Sequence, residues 1–189
     1  MKTTLIILLA IMCLDSYAKR TRPKKELALN AFTTDGCSAY PDGYLHTDEY
    51  EWLHCCMAHD IAYWAGGNYE KKVEADAELN RCVSEASFGA HGKMMEMGVA
   101  TGGTPHLATS WRWGYGWNRM VSFTPLTTEK HQHIDKMVHT ILNEMSLQSF
   151  YMNEEQMDYV LESFSEFRAE NLEALKADDL KEDHREERE

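Results

Sequence analysis

The sequence predicts an all-α protein, and three observations carry that prediction. Apolar residues recur at helical spacing over Val73–Ala86, Ile134–Met145 and Met157–Phe167. A Gly66-Gly67 link separates two of the expected helices and makes them antiparallel neighbours. Cysteines stand where that pair of helices can be stapled.

Residues 1–18 read as a signal peptide. Lys2 supplies a basic start, Leu5 to Leu14 is apolar but too short to span a bilayer, and Ser16-Tyr17-Ala18 offers a small-x-small cleavage site. The mature chain is then expected to begin at Lys19 and to be exported, secreted or periplasmic. A lipoprotein signal using Cys13 is the alternative, opposed by the bulk of Met12. No other run is long and apolar enough for a membrane helix. The remainder divides into a core with an aromatic-rich segment over 19–125, a helical extension over 126–169 and an acidic tail over 170–189. With 31 acidic against 19 basic residues, net charge −12, a nucleic-acid partner is excluded for want of a basic surface.

Within the core, Phe32 to Leu45 carries Gly36, Pro41 and Gly43 and reads as a loop. Thr47 followed by Asp48 and Glu49 predicts an N-cap and a helix over Asp48–Trp64, stopped at Gly66-Gly67. Asn68 caps a second helix, Tyr69–Phe88, ended by Gly89. Its apolar stripe is Val73, Leu79, Cys82, Val83 and Ala86, and Asp76 interrupts it. A carboxylate there is costly unless paired, and the preceding helix offers His59.

If His59 faces Asp76, Cys55 lies about 6 Å back along the first helix and Cys82 about 9 Å forward along the second, both displacements pointing the same way in an antiparallel pair. Cys55–Cys82 is therefore the expected bridge, leaving Cys37–Cys56 to tie the Asp35-Gly36 loop beside the His59-Asp60 turn. Of the five cysteines Cys13 is expected to leave with the signal peptide, and the four that remain in an exported chain suit two disulfides. A zinc site from Cys55, Cys56, His59 and Cys82 is the competing use of these ligands.

Later in the chain, Lys93 to Ala100 suggests a short helix. Trp111 to Trp117 reads as a loop whose rings pack on the helices, with an exposed carbohydrate- or membrane-interface platform as the alternative. Thr128 starts a helix and Asn153 another, forming a C-terminal helical hairpin over the core. Residues 170–189 read as a solvated, frayed helix or disorder. His131, His133 and His139 lack metal spacing and read as surface residues.

The constellation has one chemical reading. A histidine held by a buried carboxylate is a general base. With the cysteines bonded, no side-chain nucleophile is placed beside it, so His59 would activate water. Asp60 and Asp35, with loop carbonyls, are hard oxygen donors suited to Ca²⁺, which would polarise an ester carbonyl.

The run Cys55-Cys56-Met57-Ala58-His59-Asp60-Ile61-Ala62-Tyr63 resembles the Cys-Cys-x-x-His-Asp-x-x-Tyr signature of the secreted phospholipase A2 superfamily, and Asp76 to Cys82 is similar to that family's spacing on its second long helix. The likeness covers about Asp35 to Cys82. Asp35-Gly36-Cys37 looks like the loop of the microbial branch. Ala62 stands where a half-cystine is usual. The resemblance implies a phospholipase A2-like core and calcium-dependent cleavage of the sn-2 ester of glycerophospholipids at a lipid interface. Tyr63 would support Asp76, and Ca²⁺ would sit on Asp60, Asp35 and the Gly36 carbonyl. A non-catalytic exported protein binding a lipid or protein partner on the same scaffold is the alternative.

Overall fold

The computed structural model describes residues 26–47, 49–89 and 91–186. The expected signal peptide and Cys13 lie outside the described residues. The fold is all-α. Among the described residues six helices run in order: α1 (Leu53–Ala65), α2 (Tyr69–Ala86), α3 (Gly92–Gly102), α4 (Thr128–Met137), α5 (His139–Gln148) and α6 (Glu154–Glu186), with a single 3₁₀ turn, Ser149–Tyr151, before α6. The β-pairing among the described residues is one isolated bridge, Leu29 to Trp117. Among the described residues no helix is long and apolar enough to cross a membrane.

α1 is the hub, because it is apolar on most of its circumference and so buries several faces at once. Met57, Ile61, Trp64 and Ala65 join Ile134, Ile141, Met145, Val160 and Phe164 from α4, α5 and α6 in one core. Cys55 and Cys56 join Leu79, Cys82, Val83 and Met95 from α2 and α3 in a second. The antiparallel α1–α2 pair is read from its contacts: Cys55 meets Cys82, His59 meets Asp76, and Lys72 lies over the Tyr63 ring. The disulfides are Cys37–Cys56 and Cys55–Cys82, the connectivity the helical register requires. Those pairings, and the bond of His59 to Asp76, remove the expected alternative of a zinc centre on Cys55, Cys56, His59 and Cys82.

α1 begins five residues later than expected, and Thr47 does not cap it. The Thr47 hydroxyl donates to the Glu51 carboxylate at 2.8 Å, and the same carboxylate accepts from the Tyr44 amide. Trp52 donates its amide to the Asp42 carbonyl and its indole N–H to the Pro41 carbonyl. The segment's polar groups thus close a loop on itself and leave none to cap a helix. Asn68 does cap α2, accepting from the Lys71 amide.

Trp111–Trp117 packs inward. Trp113 and Trp117 are each 1% exposed, and their indole N–H groups donate to the carbonyls of Gly67 and Ala65. The amides of Gly114 and Gly116 donate to Tyr63 and Trp64. The segment therefore satisfies the carbonyls that the end of α1 leaves free. Gly66 holds φ +71°, and Gly114 approaches it closely enough that a side chain at Gly66 would meet backbone.

The C-terminal hairpin has a break in its first arm. At Val138 the helix pitch tightens: the Ile141 amide bonds the Val138 carbonyl, while Thr140 donates to Met137 and accepts from the Phe32 amide. α6 packs on α1 and α4 and runs unbroken past residue 169. Asn171 is buried against His131, and Asp178 accepts from Thr128. The first half of the expected acidic tail is held by tertiary contacts. His131 and His133 are partly buried, against Asn171 and the Trp117 ring, and His139 is exposed.

Candidate functional site

His59, Tyr63 and Asp76 come together because α1 and α2 are antiparallel and stapled one turn away by Cys55–Cys82. His59 Nε2 lies 3.2 Å from Asp76 Oδ1, and the Tyr63 hydroxyl donates to the same oxygen at 2.6 Å. His59 and Asp76 are both buried. A carboxylate only accepts, so Nε2 carries the ring proton and Nδ1 keeps its lone pair. Among the described residues Nδ1 makes no hydrogen bond. Burial pushes the His59 pKa down, as does the charge of Lys72, against the raising effect of Asp76. The ring is therefore neutral and able to accept a proton. Burial alone would raise the Asp76 pKa, but hydrogen bonds from His59, Lys72 and Tyr63 outweigh it and hold the carboxyl below its usual range. Burial and Asp76 raise the Tyr63 pKa, keeping it a donor.

The third donor to Asp76 is a residue that sequence reading missed. Lys72 is 3% exposed, and its ammonium bonds Asp76 Oδ2 at 2.6 Å and the Val99 carbonyl at 3.1 Å. Val73, expected in the apolar stripe, is 46% exposed instead. α2 is thus rotated so that Lys72 takes the inward place. The signal available in the sequence was the i, i+4 spacing of Lys72 and Asp76.

The expected metal residues divide between two adjoining spaces. Asp60 and Asp35 line one cavity of about 220 Å³, together with Thr34, Ser38 and Tyr115. Gly36 lines the next, of about 170 Å³, with Cys37, Cys56, His59, Tyr63 and Val99. The Asp60 carboxylate accepts from Thr34 at 2.7 Å through Oδ2, and Asp35 accepts from Ser38. Asp42, which sequence reading did not single out, accepts from the Cys37 amide. A side chain at Gly36, where φ is +76°, would collide with the Asp42 carboxylate. Asp35, Asp42 and Asp60 do not converge within 4.8 Å as a trio; the group that does so among the described residues is His54 with the bridged Cys55 and Cys82.

Enclosure raises the Asp60 pKa to about 8, partly offset by Thr34 and reinforced by Asp35 and Asp42. Burial is the larger cause and the neighbouring carboxylates the smaller, and the carboxylate oxygens are hard donors of the type Ca²⁺ takes, though the three do not converge on one point here. The raised pKa has a stability consequence. A carboxyl that holds its proton more tightly folded than unfolded contributes most below the unfolded pKa, near 4, and loses that contribution as pH rises toward 8. Asp60→Asn, which keeps the neutral form, is expected to be more stable than wild type at pH 8 without added cation. The advantage should vanish at pH 4. Denaturant midpoints across that range measure it, and a constant difference would refute the shift.

No protein-family model matches the chain, and neither a search of curated proteins nor one of solved structures found a match.

Proposed function

We propose that the chain is an exported calcium-dependent hydrolase of glycerophospholipid sn-2 esters. The observation that carries this reading is His59, bonded through Nε2 to a buried carboxylate, with Nδ1 making no hydrogen bond among the described residues, next in the helix to Asp60 and bordering the same pocket as the Gly36-Cys37 loop. Asp60, Asp35 and the Gly36 carbonyl would hold Ca²⁺, whose chemistry there is polarisation of an ester carbonyl. His59 Nδ1 takes a proton from a water as its oxygen bonds to the carbonyl carbon. Asp76 holds the resulting imidazolium, and Tyr63 and Lys72 hold Asp76. The proton then passes from Nδ1 to the leaving alkoxide as the ester C–O bond breaks. Two disulfides, formed in an oxidising compartment, support export.

A second reading, a non-catalytic lipid-binding protein on the same helices, is favoured by Lys72. An ammonium on the far side of Asp76 competes with an imidazolium for that charge and weakens the base. One experiment separates the two: mature protein with phospholipid vesicles, with and without Ca²⁺, and product analysis for lysophospholipid. Calcium-dependent release of lysophospholipid is expected, and Asp60→Asn is expected to abolish it while leaving the fold intact. Vesicle binding without any release would establish the second reading.

A further inference from the structure

A larger cavity, about 550 Å³, lies between α1, α2 and α6. Ala58 and Ala62 on α1 and Ala75 on α2 line it and are only half-buried, so short side chains leave the space. Leu126 and Phe167 add apolar wall. α6 reaches across to α2 through polar side chains: the Tyr159 hydroxyl donates to Glu78 at 2.7 Å, and Lys71 lies 3.3 Å from Glu170. Interiors close-pack and hold few voids larger than a water. A space of this size falls within the range of about 300–1,000 Å³ that small-molecule sites occupy.

Charge narrows the occupant. Glu74, Glu78, Glu166 and Glu170 line the cavity. Against these four carboxylates stand Lys71, which pairs with Glu74 and Glu170, and Arg81, which pairs with Glu78. The rim is therefore negative in excess, on a chain of net charge −12. The alanine wall suits an apolar chain and the rim suits a cation.

We propose that this cavity binds a single-chain amphiphile with an ammonium head, the chain along the Ala58–Ala62–Ala75 wall and the head among the glutamates. His59 and Leu79 border both this cavity and the smaller pocket beside the Asp35-Gly36 loop. A chain seated here lies against the candidate base. The site does not depend on hydrolysis, since binding alone tests it.

The test is calorimetric titration of the oxidised, full mature chain with dodecyltrimethylammonium, dodecyl maltoside and dodecanoate, each below its micelle concentration. The ammonium compound is expected to bind one per chain, about fivefold or more tighter than the maltoside, as one or two partly screened charge contacts would give. Dodecanoate should not bind. Ala62→Trp, which fills the cavity, should abolish binding, and Ala75→Leu should weaken it if the tryptophan variant fails to fold. Glu74→Gln with Glu170→Gln should erase the preference for the cation while leaving the chain bound. Equal affinity for the three heads, or unchanged binding in the filled variants, would overturn the proposal.

Discussion

His59→Gln is expected to remove nearly all ester hydrolysis, a loss of about 10²–10⁴-fold if the ring is the general base. Asp76→Asn should also reduce the rate strongly. It ceases to be an obligate acceptor for Nε2–H, so the tautomer with Nδ1 free is no longer enforced, and it gives an imidazolium no countercharge. The two residues act through one another, so their effects should not add: the double variant should be little worse than His59→Gln alone. Initial rates with phospholipid vesicles and Ca²⁺ give all three values. Additive losses, or full activity in His59→Gln, would refute both the pairing and the base.

Lys72→Met is expected to be the most destabilising of the site substitutions, by about 3–5 kcal/mol at neutral pH, the usual cost of removing one member of a buried ion pair. Asp76 would keep His59 and Tyr63 but lose the ammonium that offsets its charge, and the Val99 carbonyl would lose a donor. The deficit should shrink at acid pH. In the wild type the Asp76 pKa is depressed, so its contribution is present above the ordinary carboxylate range and lost as pH falls through the lower folded value. Without Lys72 that depression relaxes, and protonating Asp76 removes the uncompensated charge. Denaturant midpoints at pH 7 and pH 4 test the trend, and Lys72→Met with Asp76→Asn should recover part of the loss at pH 7. His59→Leu should cost less than Lys72→Met, since Asp76 then retains both its ammonium and its phenol donor. A pH-independent deficit in Lys72→Met would show that the amine acts by packing alone.

The pairing of α1 with α2 was legible because several independent regularities agree on one register. The Gly66-Gly67 stop, the Asn68 cap, the spacing of Cys55 and Cys82, and Asp76 interrupting an apolar stripe all place His59 opposite Asp76. The rotation of α2 about its axis was less legible. Hydrophobic periodicity ranks Val73 above Lys72 for burial, and it does so by average polarity. It cannot distinguish a lysine that extends to water from one whose ammonium is neutralised inside.

Elsewhere the deciding contacts came from distant parts of the chain. Thr47 had the chemistry of a cap, but Glu51 and Tyr44 claimed its segment for a loop. Trp111–Trp117 was expected to pack as a loop, but only the tertiary structure supplied the partners of its indoles, the free carbonyls of Gly67 and Ala65. The acidic composition after residue 169 suggested a solvated end, yet Asn171 and Asp178 are held by His131 and Thr128.

By itself the sequence determined the helical class, the antiparallel stapled pair and the meeting of His59 with Asp76, because local periodicity and covalent bridges are short-range constraints that leave one register open; the place of Tyr63 on Asp76 was expected only from the family resemblance. Only the tertiary structure decided that Lys72 is buried on Asp76, that α6 continues over the core, and that alanines on two helices leave a cavity between them. Each of these depends on what a second element places opposite a residue, and burial of a charge is stable only when that partner arrives.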